Sequence, residues 1–200
     1  MKRAVKTSAV FVVMLFTIIC YSTEISSLPK RGDAKKTMLT LNNVKQGQEL
    51  FIKNDYGIIL YKELIEKDGD YAKGFDLTEL PDGHYFFELN KDFQIQILPF
   101  KVILNEVDFI KAEEKTIFKP VVRSKENKVF VSKLSLFNPL EVEIYYEDEN
   151  NAKGYSLIHS ETIENEKIVN RIYSLSKKEK GNYKLVFKSE GRIFTEKVTL

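Results

Sequence analysis

The chain has no tryptophan, one cysteine and two histidines among its 200 residues, and each shortage closes off a class of protein. A single cysteine, Cys20, rules out a disulfide framework, thiol catalysis in a processed chain and a cysteine-based zinc site, so stability has to come from apolar burial. His84 and His159 stand in unlike contexts, without a second His or Cys at ligand spacing, which disfavours a metal centre or a histidine base. The missing tryptophan weakens a carbohydrate-binding reading, because that ring is the largest stacking platform for a sugar. A phosphate loop, a nucleophile elbow and a two-His metal motif are all absent. The longest apolar run, Ala9 to Ile19, is 11 residues, well short of the ~20 a spanning helix needs.

Charge of one sign is missing too. The formal charge is +2, and it falls to −1 without Lys2, Arg3 and Lys6. The remaining charges are interspersed, so neither a nucleic-acid stripe nor a polyanionic tail exists, and charge names no partner.

The residues that are present begin with a secretory signal. Lys2, Arg3 and Lys6 form a basic head, the apolar run follows, and Cys20 and Ser22 suit cleavage between Ser22 and Thr23. A rival reading makes Cys20 the lipid-bearing first residue of a lipoprotein, the one route by which this sequence implies a membrane. Residues 23–36 read as a flexible leader, polar and without period, with Pro29 and Gly32. The tripeptide Arg31-Gly32-Asp33 in it matches an adhesion motif by composition alone.

From Met38 onward, apolar residues alternate in short runs broken by turn-forming clusters such as Lys53 to Gly57, Lys67 to Asp70, Pro81 to Gly83 and Glu149 to Asn151. Phe130, Leu134 and Leu136 share one parity, and Val142, Ile144 and Tyr146 alternate with Glu141, Glu143 and Glu147. Period 2 at this spacing predicts an all-β sandwich or barrel, with short helices arguable only at Glu63 to Lys67 and Asp108 to Lys115.

One unit occurs twice. Phe75-Asp76-Leu77, Gly83-His84-Tyr85 and Phe87 return 98 positions later as Tyr173-Ser174-Leu175, Gly181-Asn182-Tyr183 and Leu185. Upstream the offset falls to 92 at Ile52 and Ile144, so the second copy has extra residues near Glu147 to Lys153. Gly83 and Gly181 each open a strand at a sharp turn, and a Tyr two residues on resembles the tyrosine corner of immunoglobulin-like sandwiches.

The run Leu50-Phe51-Ile52, Gly57, Leu60 and then Phe75 through Tyr85 resembles the immunoglobulin-like modules of exported Bacteroidetes proteins, and most nearly the type IX secretion C-terminal sorting module. Ser174 and Lys178 depart from the pattern in the second copy, and Phe137-Asn138-Pro139 is a partial echo of the turn that opens such modules. The resemblance implies a fold of two tandem immunoglobulin-like antiparallel β-sandwich domains after a cleaved signal peptide. The expected spans are 1–22 signal, 23–36 leader, 37–107 first domain, 108–116 linker and 117–200 second domain.

The sequence thus predicts an exported, non-enzymatic binding or surface-assembly protein, periplasmic, cell-surface or secreted. It needs no cofactor or metal and meets protein or glycan at the cell surface. The alternatives are a sorting or attachment module of the type IX kind and an enzyme with an unrecognised carboxylate site between the modules. Candidate binding residues are Tyr145, Glu147, Asp148, Asn150 and Tyr155, where outward aromatics flank the longer loop. The acidic turns Asp68-Gly69-Asp70 and Glu147 to Asn151 offer oxygen ligands for calcium without EF-hand spacing.

Overall fold

A computed structural model of the protein describes residues 36–136, 138–148, 154–176 and 181–199. The expected signal, leader and Cys20 lie outside the described residues, as do Asn150 and the side chain of Asp148. Among the described residues no helix is long and apolar enough to cross a membrane.

The chain is all-β. The strands are β1 (Thr37–Val44), β2 (Glu49–Asn54), β3 (Ile59–Leu64), β4 (Gly69–Phe75), β5 (Gly83–Asn90), β6 (Gln94–Ile103), β7 (Glu106–Phe109) and β8 (Lys115–Phe118). They continue as β9 (Val121–Lys125), β10 (Lys128–Leu134), β11 (Leu140–Asp148), β12 (Ser156–Ile163), β13 (Ile168–Ser174), β14 (Gly181–Ser189) and β15 (Arg192–Thr199). β1 and β4 form one sheet and β3-β2-β5-β6-β7 another, with β8 also on β6. The later strands form β13-β10-β9 and β12-β11-β14-β15. Every pairing is antiparallel.

The repeat is therefore a six-strand plan used twice: β1 to β6 recur as β10 to β15, split between two sheets in the same way, the pattern of an immunoglobulin-like sandwich. Even a defect recurs. The β2–β3 register shifts between Ile52 and Lys53, leaving Leu60 unpaired, and the β11–β12 register shifts between Ile144 and Tyr145, leaving Ile158 unpaired. A bulge kept at positions 98 apart is a device of the fold, re-aiming an edge strand.

Each copy has its own core, because alternate residues of its two sheets face each other. In the first, Leu39, Leu50, Phe87, Leu89, Leu98, Phe100 and Val102 are fully buried. The Phe87 ring lies 5.2 Å from Phe75, 5.3 Å from Phe100 and 6.3 Å from Phe109, a spacing that adds aromatic attraction to burial. In the second, Val129, Leu140, Val142, Val169, Leu185 and Phe187 fill the centre. The Tyr85 hydroxyl donates to the Pro81 carbonyl at 2.7 Å, the tyrosine-corner bond that pins the approach to β5.

Several expectations are corrected. Neither short helix forms: Glu63 and Leu64 end β3, and residues 108–115 hold the end of β7, a 3-10 turn at Lys111–Glu113 and the start of β8. The span expected as a linker thus has strand at both its ends, because Ile117 is buried opposite Ile95 and draws its strand onto β6. On β10 the buried parity is Val129, Val131 and Lys133, while Phe130 and Leu134 face outward beside Ile172 and Ile168. The two repeat glycines also differ in their reason. Neither adopts the left-handed region; a Cβ on Gly83 would meet only the Tyr85 ring at 3.5 Å, whereas on Gly181 it would sit 2.5 Å from the Glu147 carbonyl oxygen. Gly181 is there for a close backbone approach, not for a turn.

The sandwiches meet through β15 and the outer face of the first large sheet. Ile95, Ile97 and Ile117 are buried with Phe86 and Phe194, and Phe194 also packs on the second core. Between them Glu88, 4% exposed, accepts from Lys53 Nζ at 2.7 Å and from Arg192. β6 is consequently buried on both faces, with Leu98, Phe100 and Val102 inward and Ile95 and Ile97 outward.

Gly181→Ala is expected to lower unfolding free energy by about 1–3 kcal/mol, with Gly83→Ala near neutral, in denaturant titration. A double-mutant cycle of Glu88→Gln and Arg192→Gln is expected to show a coupling of about 1–3 kcal/mol, since the two groups share one buried contact.

Candidate functional site

The alternation that turns Val142, Ile144 and Tyr146 toward the core turns Glu141, Glu143, Tyr145 and Glu147 to the opposite face of β11. β14 runs alongside and presents Asn182, Lys184 and Lys188, because Tyr183, Leu185 and Phe187 are the buried parity. The result is a strip of alternating charge. Lys188 Nζ stands 2.6 Å from Glu143 and 3.7 Å from Glu141, and the Tyr145 hydroxyl donates to Glu143 at 2.9 Å. Farther along, Lys184 Nζ lies 4.6 Å from the Tyr145 ring centre and 4.5 Å from that of Tyr155, a cation held between two aromatic rings. Asn182 donates to Glu147 at 3.4 Å and accepts from the Thr199 hydroxyl at 3.0 Å.

The electrostatics hold these groups in fixed charge states. Lys188, then Tyr145, hold the Glu143 carboxyl below the usual carboxylate range, and the same carboxylate keeps Lys188 charged and Tyr145 protonated. Loss of solvent, then the nearby Glu147 charge, raises Tyr155. A strip tuned this way keeps its pattern of charge and hydroxyls at neutral pH, which suits recognition better than proton transfer.

At its lower end the strip opens into a groove between the sandwiches, with a volume of about 920 Å³. Glu141 and Lys188 line it together with Lys115, Phe118, Leu136, Pro139, Glu190, Arg192 and Ile193. A smaller hollow of about 410 Å³ shares Lys115, Glu190 and Arg192 with the groove and adds His84, Asp55 and Glu113. Glu190 also reaches Lys133 Nζ at 3.3 Å; burial pushes that ammonium below its ordinary range, and Glu190 offsets part of the shift.

Of the residues expected from sequence, the structure brings Tyr145, Glu147 and Tyr155 to one place, around Lys184. Asp148 ends β11 opposite Gly181. Lys184, Lys188 and Asn182 were missed, although the outward parity of β14 marks them. Glu88 and Arg192, 104 residues apart, leave no local signal. Asp68, in one of the acidic turns that offer oxygen ligands, accepts the Gln46 N–H at 2.7 Å and so joins two turns. His159 of β12 lies 3.6 Å from Glu161, with its ring 5.5 Å from that of Tyr173 on β13, an edge strand of the other sheet. Among the described residues no three His, Cys, Asp or Glu side chains gather as a metal cluster would require.

No protein-family profile matches the chain, and no curated protein matches it. Among solved structures, the BSP domain of a biofilm associated protein aligns over 84% of this chain and 27% of its own length, at 12% identity and a TM-score of 0.28. Native alpha-2-macroglobulin from Escherichia coli, in a structure spanning domains MG0-NIE-MG1, aligns over 88% of this chain and 70% of its own, at 14% identity and a TM-score of 0.26. The chain thus spans about a quarter of the first structure, both superpositions are loose, and the assignment of an immunoglobulin-like sandwich rests on the strand order and register above.

Proposed function

We propose that this is an exported, non-catalytic binding component of a cell-surface assembly, whose ligand lies along the β11–β14 strip and into the groove between the sandwiches. The observation that carries this reading is continuity: Glu141 and Lys188 belong both to the strip that ends in the Tyr145–Lys184–Tyr155 clamp and to the lining of the groove. A surface of fixed charges and aromatic edges, carried on strands of a rigid sandwich, suits a protein or glycan partner presenting its own alternating polar groups.

The directions of the ionisable groups support the same reading. A glycosidase or aspartic-peptidase site keeps one carboxyl raised as its acid, whereas Glu143 is lowered and the neighbouring carboxylates Glu141, Glu190 and Glu88 are each paired with a cation. The sorting reading of the type IX kind draws on the separate core of the second sandwich. Against it stands the buried contact of Arg192 and Phe194 with the first sandwich, which makes the second part of a two-sandwich body rather than a free tag.

The purified exported chain is expected to bind a cell-surface fraction or glycan array and to hydrolyse no member of a glycoside, peptide and ester panel. Tyr145→Ala with Lys184→Ala is expected to weaken that binding about tenfold or more while leaving the melting curve close to wild type. Turnover lost in Glu141→Gln or Glu190→Gln would make the protein an enzyme instead. A reporter fused to residues 119–200 is expected to stay in the periplasm of a competent host, and its arrival at the surface would establish the sorting role.

A further inference from the structure

The two copies differ at the edge of the smaller sheet. In the second sandwich β9 runs antiparallel along β10, with Val122 opposite Val131 and packed on the core. The counterpart of β10 is β1: Thr37 pairs with Phe75 as Val129 pairs with Tyr173, which sets Leu39 in the place of Val131. Among the described residues β1 pairs with β4 alone, and none of them takes on β1 the edge that β10 gives to β9.

An open edge is a template for another strand, and proteins blunt such edges with charge, proline or bulges. β1 reads Thr-Met-Leu-Thr-Leu-Asn-Asn-Val over its eight residues, with a bulge only at its far end, between Leu41 and Val44. Every other strand at a sheet edge among the described residues carries at least one Asp, Glu, Lys or Arg, whereas β1 carries none. The chain's own preceding residues are a poor source of the missing strand. The offset of 92 that relates β1 to β10 sets residues 29–33, Pro-Lys-Arg-Gly-Asp, in the sequence place of β9, with Lys30 where Val122 packs inward.

We propose that a second copy of this chain fills the edge, its β1 running antiparallel to the first about a two-fold axis at Thr40. A two-fold axis normal to the sheet keeps inward residues opposite inward ones. With Thr40 on Thr40, Leu39 of each copy faces Leu41 of the other, supplying the apolar residue that Val122 supplies in the second sandwich. β1 itself carries no charge, so no two like charges oppose each other along it. Leu39 and Leu41 already belong to the buried core, and the pairing joins two two-stranded sheets into one of four. This self-association is independent of the β11–β14 strip.

Sedimentation equilibrium of the purified exported chain carrying Cys20→Ser tests it. A concentration-dependent dimer is expected; Thr40→Lys, which sets two ammonium groups face to face, weakens it about fivefold or more. Ser124→Lys, the same charge on the edge strand β9, leaves it unchanged. Directly opposite residues on paired strands lie about 4.5–5.5 Å apart at Cα, within disulfide reach, so Thr40→Cys gives an oxidised dimer. A chain that stays monomeric at every concentration overturns the proposal. So does a dimer indifferent to Thr40→Lys in folded protein, or a Thr40→Cys variant that yields no cross-link.

Discussion

A carboxylate buried between two cations governs how this molecule is put together. Glu88 projects from the outer face of the first large sheet, where an unpaired charge would be costly, and it is satisfied by Lys53 from its own sheet and Arg192 from the second sandwich. Coulomb attraction in such a place roughly offsets desolvation, so the net adhesion comes from the apolar ring of Phe86, Ile95, Ile97, Ile117 and Phe194. Each fully buried isoleucine contributes about 1.5–3 kcal/mol by area. The ion pair instead sets register, because displacing β15 by one residue would bury Glu88 without Arg192.

That docking has consequences for everything beyond it. It closes one side of the groove, sets Glu190 and Arg192 between two hollows, and brings Lys115 of the first sandwich beside Lys188 and Glu141 of the second. Without it the β11–β14 strip would be the outer face of an ordinary half-buried sheet. With it the strip ends in a concave surface shared by both copies of the repeat.

The duplicated plan also shows which differences matter. The shared elements, the bulges at Leu60 and Ile158 and the six common strands, serve folding. The unshared ones alter edges: β9 covers β10 in the second copy, β7 and β8 extend the sheet in the first, and among the described residues no strand covers the same edge of β1. Edge strands decide association in all-β proteins, so two sandwiches of one plan acquire different surfaces without changing their cores.

Period 2, the turn clusters and the spacing of 98 determined by themselves an all-β chain built twice, because side chains must alternate across a strand whatever it packs against. The same alternation puts Tyr145 outside and Tyr146 inside. It did not reveal which face of β10 is buried: Phe130 looked as good inside as Val129 and Val131, and only packing against the opposite sheet decided for the smaller pair. Nor did local pattern show why Gly181 has no side chain, since the Glu147 carbonyl that forbids one comes from a strand 34 residues earlier. Tertiary structure alone set the Lys184 clamp, the strand at Lys115–Phe118 and the Glu88–Arg192 contact. Each depends on residues far apart in the chain, and a sequence period carries information only about a residue's own strand.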